Sequence, residues 1–253
     1  MQAEGADALG GVLRHYDPPQ LAFQLAETFS KRTYVQHGVE VQEGDLVLDV
    51  GANVGVAAAF FASECRAGRV HSFEPVPPLF ELLRENLAHF PACVAHDYGL
   101  SSAPGRAPIT YYPNAAAMSG LYADPKHDRE AVRTYLINSG VSEEDAEHQL
   151  DGLHEPVTLS CELRTLSAVL REEAVEQVDL LKIDVEKAEL DVLRGLDESD
   201  WPRIRQVVAE VHDERDRCAK VAEMLTRRGF SVITEQEDMW RGTTVHMLYA
   251  KRP

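Results

Sequence analysis

Cysteine is scarce in this sequence, and its spacing excludes two common kinds of site. The four cysteines, Cys65, Cys93, Cys161 and Cys218, are scattered, and no two of them form a Cys-x-x-Cys pair. Zinc ribbons and disulfide frameworks need closely spaced cysteines, so neither is predicted. Reduced thiols are typical of a cytoplasmic protein, and we expect that location.

Long apolar runs are also missing. No stretch approaches the roughly 18 consecutive apolar residues that a membrane-spanning helix needs. The first residues, MQAEGADALGG, lack the basic and then apolar pattern of a signal peptide. We therefore predict no membrane partner.

Positive charge is the third shortage. The 253 residues include 25 Lys and Arg against 42 Asp and Glu, a formal net charge of −17. Nucleic-acid binding needs a basic surface against the phosphates, so no such partner is expected. The apolar content of 44% is nevertheless typical of a globular chain with a proper core.

Short apolar runs alternate along the chain with helix-like stretches. We predict a helix over 21–38, ending near Gly38, and then strands at 46–50, 69–75, 92–100, 107–113, 178–185, 205–212, 230–235 and 244–252. Such alternation predicts right-handed βαβ units and a parallel sheet. The expected organisation is an N-terminal helical segment (1–40) followed by one α/β domain (41–253).

The alternation is interrupted at about 114–155 by a polar segment with helical character. This is too long for a simple connection and suggests a lid. Arg129 and Arg133 lie four residues apart, hence on one helix face, with Lys126 just before them. This basic face would suit an acidic carrier protein or an anionic acceptor; an ordinary solvated helix face is the alternative.

The first strand ends in a glycine turn, DVGANVG. A pyrophosphate fingerprint would have glycine where this chain has Asn53, and it would avoid the acid Asp49 beside the phosphates. Gly51, Asn53 and Gly55 still allow a tight turn at a helix start. A cationic nucleoside without phosphate fits better. S-adenosylmethionine (SAM) is such a ligand, and we expect Asp49, Gly51, Asn53 and Gly55 to bind it.

An acid at the end of the second strand completes this pattern. Glu74 lies about 20 residues beyond the glycine turn, where a carboxylate can clamp the two ribose hydroxyls. Asp97, with Tyr98, follows the third strand and is a candidate for the adenine edge. The alternative is a structural turn with a surface glutamate.

Several motifs occur together in a family-like order. They are VLDVGANVG, FEPVPPLFELLRENL, LLKIDVEKAELDVLRGL and VVAEVH. The chain closely resembles the FkbM family of SAM-dependent methyltransferases over roughly residues 30–250, and TYYPNAAAMSGLYAD (110–124) resembles members from polyketide and nonribosomal peptide pathways.

The resemblance implies a fold, a cofactor and an activity. The fold would be the Rossmann-like class I methyltransferase fold: a seven-stranded, mostly parallel sheet with an antiparallel last strand, plus the helical lid. The activity would be SAM-dependent O-methylation of a small molecule, free or tethered to a carrier protein. Lys187 departs from the family, which usually has glycine there; we expect it to start a helix.

Charged residues follow two neighbouring strands. Asp184 and Glu186 lie on one side of their strand, as do Glu210 and His212 on theirs, while Lys182 lies on the Asp184 side. Methyl transfer to a hydroxyl benefits from a base, and histidine matches neutral pH. We therefore predict His212 as the base, oriented by Glu186 or Glu210; a structural histidine is the alternative.

Other assignments use the same positions. Asp184, Glu210 and His212 could instead hold Mg²⁺ or Mn²⁺, and Asp184 could contact the cofactor. Tyr34, with Thr33 and His37, could close over the cofactor. Methylation of nitrogen or carbon, a nicotinamide-dependent oxidoreductase and a catalytically silent SAM-binding module remain alternative functions.

Overall fold

The computed structural model describes residues 13–252, and its centre is a seven-stranded sheet. The strands are β1 (Leu46–Val50), β2 (Arg69–Phe73), β3 (Cys93–His96), β7 (Leu180–Ile183), β8 (Gln206–His212), β9 (Ser231–Glu235) and β10 (Val245–Lys251). Their order in the sheet is β3-β2-β1-β7-β8-β10-β9. The last strand, β10, is antiparallel to both of its neighbours, β8 and β9. The predicted α/β sheet is confirmed.

Helices cover the sheet on both faces. They are α1 (Pro18–Leu25), α2 (Val56–Ser63), α3 (Pro77–Leu87), α4 (Pro125–Asn138), α5 (Glu143–Leu150), α6 (Leu166–Glu172), α7 (Glu189–Arg194) and α8 (Arg217–Thr226). None of the helices within residues 13–252 is long and apolar enough to cross a membrane.

The core explains why β1 and β7 read as continuous apolar runs. Val47 packs with α2 and α3 on one face of the sheet, whereas Leu48 packs with α6, α7 and α8 on the other. Both side chains are fully buried. A strand covered on both faces has no solvent side, so its sequence does not alternate. Polar side chains that serve a ligand can therefore be placed at the carboxyl end of such a strand, beyond its buried part.

The strand predicted at 107–113 does not join this sheet. Residues Gly105–Tyr111 (β5) and Val157–Arg164 (β6) form a separate three-stranded sheet with Gly99–Leu100 (β4), in the order β4-β6-β5. The predicted fourth strand of the main sheet is therefore wrong. Pro108 lies in β5, an edge strand of the small sheet, because proline lacks the N–H that a central strand needs.

The N-terminal helix is shorter than predicted. After α1 the chain makes a π-helical turn, Ala26–Ser30, and then leaves the helix. Arg32 and His37 both adopt positive φ, at 55° and 52°, which no helix can contain. The part of the expected N-terminal segment at 1–12 lies outside the described residues.

The segment at 114–155 contains two helices, α4 and α5, and its basic face is already occupied. Arg129 binds Glu147 of α5 at 2.6 Å and the carbonyl of Leu150 at 2.6 Å. Arg133 contacts the same Glu147 at 2.9 Å. The two arginines thus join α4 to α5. The interpretation of this face as a free docking site for an acidic carrier is not supported.

Candidate active site

A cavity of about 840 Å³ opens at the carboxyl ends of the central parallel strands. It extends from the loops after β1 and β2, past those after β7 and β8, to the start of β10, and residues of α1 and α4 complete its wall. This edge of an open parallel sheet is where α/β proteins bind ligands. The volume lies within the range of small-molecule sites.

The glycine turn after β1 is left-handed at three positions. Gly51, Asn53 and Gly55 have φ values of 78°, 50° and 94°. A Cβ on Gly51 would lie 1.7 Å from the carbonyl oxygen of Asp184. Glycine is therefore required at 51 by both conformation and space. Asn53 tolerates its conformation because its side chain accepts a hydrogen bond from the Val54 N–H at 2.8 Å.

Glu74 is fixed beside this turn. One carboxylate oxygen accepts from the Asn53 N–H and the other from the Val76 N–H, both at 2.9 Å. Burial raises the pKa of Glu74 to about 7 despite these bonds. Each oxygen keeps a second lone pair, so the side chain can still accept two hydroxyl protons. Glu74 lines the cavity, as a ribose clamp would.

Asp49 does not line the cavity, in contrast to the expectation of direct cofactor contact. It is fully buried, and its Oδ1 lies 3.0 Å from Lys182 Nζ. Lys182 also donates to the Gly51 carbonyl at 2.8 Å. Burial alone would lower the pKa of Lys182, but Asp49 and Asp184 raise it. Asp49 therefore supports the turn through Lys182, which neutralises the acid that seemed to repel phosphate.

Asp184 joins the N-terminal segment to the sheet. Its Oδ2 accepts from the Tyr34 hydroxyl at 3.0 Å and lies 3.6 Å from Lys182 Nζ. Burial and the charge of Asp184 raise the pKa of Tyr34 well above its usual value, so the hydroxyl is a donor. Tyr34 and Asp184 both line the cavity; His37 instead contacts Glu235 at 2.6 Å and lies outside it.

The structure does not bring Asp97, the candidate for the adenine edge, to the cavity. Asp97 is exposed, and neither it nor Tyr98 lines the cavity. Tyr98 is buried next to Phe73, and the Arg164 guanidinium covers its ring at 4.1 Å. Gly99 and Leu100 reach the cavity instead. The chain passes from β3 into β4 of the small sheet between His96 and Gly99, and in this connection Asp97 faces the solvent.

His212 is held between two carboxylates. Its Nε2 lies 3.1 Å from Glu186 Oε2, and its Nδ1 lies 3.1 Å from Glu189 Oε1. Burial alone would lower the pKa of His212, but Glu186 and Glu189 raise it well above its usual value. The predicted set omits Glu189, which is fully buried and orients the ring. Its position three residues after Glu186, at the start of α7, could have indicated from sequence that it lies near His212.

Glu210 completes the polar cluster. Burial and the neighbouring Asp184 raise the pKa of Glu210 well above its usual value, and burial also raises the pKa of Glu186. Donor atoms of Glu186, Glu210 and His212 all lie within 4.8 Å of one another. This set fits a divalent cation, with Glu189 supporting the imidazole as carboxylates behind metal-bound histidines do. The predicted metal ligands were Asp184, Glu210 and His212. In the structure Glu186 takes the place of Asp184 in this group.

Lys187 does not start a helix, contrary to expectation. It has φ 79° and precedes α7, which begins at Glu189. Its buried ammonium lies 2.6 Å from Asp128 Oδ1 of α4, and the other Asp128 oxygen accepts from the Tyr112 hydroxyl at 2.9 Å. A non-glycine residue in this conformation is strained, and strain of this kind collects at functional sites. The ion pair fixes α4 above the cavity.

This fold and cavity define a methyltransferase of the α/β, class I type, and comparison with known proteins gives the family. The model of the methyltransferase FkbM domain matches residues 49–232. The chain belongs to this family. It is 39% identical over 245 residues to 31-O-demethyl-FK506 methyltransferase FkbM of Streptomyces tacrolimicus, covering 96% of this chain and 94% of that protein.

Two further relatives differ in size and distance. AMB antimetabolite synthetase AmbE of Pseudomonas aeruginosa is 38% identical over 242 residues, which are 90% of this chain and 11% of that protein. The crystal structure of methyltransferase FkbM from Methylobacillus flagellatus is similar at 13% identity, with a TM-score of 0.48, and covers 98% of this chain and 58% of that one.

Proposed function

We propose that this protein is a SAM-dependent O-methyltransferase whose acceptor is a hydroxyl group of a polyketide-like or peptide-like small molecule. The observation that carries the proposal is one cavity that joins the Gly51–Glu74 turn to the Glu186–His212–Glu210 cluster. A methyl donor and a proton acceptor must lie close together for this reaction. One of the relatives is named for methylation of an oxygen atom.

The donor end has groups suited to a cationic nucleoside. Glu74 would accept from the ribose hydroxyls, and the backbone at Gly51 and Asn53 leaves room for the chain of the methionine part. Asp184 would face the ammonium group, with the Tyr34 hydroxyl holding its carboxylate in place. When bound, SAM supplies an electrophilic methyl group. Every other step falls to the side chains of the protein.

The acceptor end takes a proton. An alcohol is a weak nucleophile, so its oxygen gains reactivity as the proton leaves. Both ring nitrogens of His212 face carboxylates, Nε2 towards Glu186 and Nδ1 towards Glu189, so we assign the base to the Glu186–His212 pair. As the hydroxyl oxygen gains the methyl group, its proton passes to Glu186, and His212 spreads the charge towards Glu189.

A metal-assisted version of this reaction has a specific observation in its favour. Glu186, Glu210 and His212 could hold Mg²⁺ or Mn²⁺, which would lower the pKa of a bound hydroxyl. Methylation of an amine nitrogen has less need of such a base, since a neutral amine attacks with its own lone pair, whereas a carbon acceptor would also have to lose a proton. Membership of a methyltransferase family disfavours the nicotinamide-dependent alternative.

The state of the cysteines bears on the cellular location of the protein. All four cysteines are free in the structure, as expected in a reducing compartment. We therefore place the reaction in the cytoplasm, on an acceptor that is free or attached to a carrier protein.

Two measurements test the proposal. Calorimetry should show binding of SAM or S-adenosylhomocysteine, and binding of NAD that is tighter than that of SAM would overturn it. Mass spectrometry should then follow pathway intermediates incubated with the protein and SAM. A hydroxylated intermediate should gain one methyl group, and its tandem spectrum should place that group on oxygen.

A further inference from the structure

Part of the cavity has an aromatic wall. The Phe23 and Tyr135 rings meet edge to face at 5.6 Å, and Tyr135 lies 4.6 Å from Trp240. All three line the cavity. Trp240 comes shortly before β10, which is separated from β2 by three strands, whereas Glu74 directly follows β2. Trp240 therefore lies away from the ribose clamp, whereas α1, which carries Phe23, also reaches the donor turn because Gln24 contacts Asn53 at 3.5 Å.

The wall is held together by backbone contacts, so it is a built surface. The Asn138 amide at the end of α4 donates to the carbonyls of Met239 and Arg241, at 3.0 and 2.9 Å. On the other side, Gln20 of α1 donates to the Asn114 carbonyl at 2.9 Å. The Asn138 contacts fix α4 relative to the turn at Asp238–Trp240, and the Gln20 contact fixes α1 to the loop at Asn114. Phe23 nevertheless stays 37% exposed, which leaves its ring accessible to a ligand.

The charge of the lining is one-sided. Ten Asp and Glu residues line the cavity against two lysines, and no arginine lines it among residues 13–252. Neither lysine is available to a ligand: Lys182 is paired with Asp49 and Lys187 with Asp128. His212 is likewise enclosed by Glu186 and Glu189. His127 and His246 are the remaining basic side chains of the described lining, so an anionic acceptor would meet mainly repulsion, at a cost that is large inside a protein.

We infer that the acceptor half of the cavity is a site for an uncharged or cationic, largely apolar molecule, in which any carboxyl group is masked as an ester, lactone or thioester. The inference rests on the proposed function, which assigns the Glu74 end to the methyl donor. Aromatic faces bind apolar chains and rings, and the acidic lining rejects free acids. A thioester on a carrier protein and a free lactone share this chemistry.

Binding can be tested without methyl transfer. Trp240 reports on the wall, and Trp201, which is buried outside the cavity, is replaced with Trp201→Phe so that only one tryptophan emits. The probes are 3-hydroxyoctanoic acid and its N-acetylcysteamine thioester, which carry the same hydroxyl and chain. We expect the thioester to quench Trp240 fluorescence saturably, and the free acid to bind on the order of tenfold more weakly at low salt.

Three variants separate the two parts of the inference. Phe23→Ala should weaken thioester binding by roughly 2–10-fold, the range of one aromatic contact. Tyr122→Ala, which removes an exposed aromatic ring outside the cavity, is the matched control and should change nothing. Glu130 is an exposed acid at the cavity, and Glu130→Lys should improve binding of the free acid. Added salt should reduce the difference in affinity between the thioester and the free acid.

Three results would overturn the inference. They are equal or tighter binding of the free acid, no binding of the thioester, and equal effects of Phe23→Ala and Tyr122→Ala. Calorimetry with S-adenosylhomocysteine on the same samples reports the donor end separately. If donor binding persists while the probes fail, the acceptor class is wrong and the proposed methyl transfer stands.

Discussion

Lys187 Nζ lies 2.6 Å from Asp128 Oδ1, and only 5% and 3% of the two residues are exposed. The pair joins the loop after β7 to α4, two parts of the chain separated by 59 positions. Burying two charges is costly, and the loss of one partner leaves the other uncompensated. The stability of α4 over the cavity therefore depends on this contact.

The first prediction concerns that pair. Asp128→Asn should lower the free energy of unfolding by about 3–5 kcal/mol, because it leaves the buried ammonium of Lys187 with only the more distant and partly exposed carboxylate of Glu214, at 3.8 Å. The double variant Lys187→Met with Asp128→Asn should recover part of this loss. Urea denaturation measures both. Glu81→Gln, which breaks an exposed ion pair with Arg84, is the control and should cost less than about 1 kcal/mol. Similar losses for Asp128→Asn and Glu81→Gln would contradict the prediction.

The second prediction concerns Glu74 and pH. Its pKa is about 7 in the folded protein and lower in the unfolded chain, so the unfolded chain loses this proton first as pH rises. The unliganded protein should therefore lose stability between about pH 4.5 and pH 7 through this group. The Glu74→Gln variant should lack that slope in thermal unfolding at matched pH values. An identical slope in the two proteins would show that the pKa of Glu74 is not raised.

Ligand binding gives the same group a second readout. A carboxylate that accepts ribose hydroxyls must be ionised, so binding of S-adenosylhomocysteine near pH 6.5 should release protons from Glu74. Calorimetry in two buffers of different ionisation enthalpy measures this release. Glu74→Gln should remove the release and weaken binding by about 1–3 kcal/mol. Proton release that persists in the variant would have to come from another group.

The third prediction concerns the base. His212→Ala should lower turnover by about 10²–10⁴-fold and leave the affinity for SAM nearly unchanged, because the residue acts on the acceptor. Glu189→Gln keeps the size of the side chain but removes the charge that orients the imidazole. It should lower kcat and shift the pH–rate profile to lower pH, since it lowers the pKa of His212.

A metal changes the expected pattern. If Glu186, Glu210 and His212 hold a divalent cation, a chelator should abolish turnover and Mg²⁺ or Mn²⁺ should restore it. Under the proton-relay mechanism a chelator has no effect. Full activity of His212→Ala would remove both mechanisms.

The fourth prediction concerns the turn. Gly51→Ala should abolish donor binding and destabilise the fold by more than about 3 kcal/mol, because the new Cβ would overlap the carbonyl of Asp184 at 1.7 Å. Gly105→Ala is the matched control. A Cβ at Gly105 would have no other atom within 4 Å, so this change should alter stability by less than about 0.5 kcal/mol. Calorimetry with S-adenosylhomocysteine checks the first effect, and retained binding by Gly51→Ala would disprove it.

Much of the sheet could be predicted from sequence because its physical cause is local. A short, mainly apolar run followed by glycine marks β1, and the alternation of charged residues brings Asp184, Glu186, Glu210 and His212 to one edge. These inferences need only the geometry of a strand and the direction of parallel strands.

The features that the sequence did not predict depend on contacts between residues far apart in the chain. The left-handed conformation of Lys187 goes with its contact to Asp128, which no local pattern encodes. The outward position of Asp97 depends on where the chain enters the small sheet. The strand at Gly105–Tyr111 has the composition of a strand, but composition does not say which sheet a strand joins.

The position of β10 in the sheet has a consequence for module exchange in biosynthetic engineering. The family-model match ends at residue 232, within β9, yet β9 pairs with the rest of the sheet through β10, which follows it in the chain. A segment excised at that boundary would lose β10 and most of β9 and would expose the edge of β8, and an open edge of this kind promotes aggregation. A functional graft therefore has to continue through Lys251 and include the α1 residues that carry the wall.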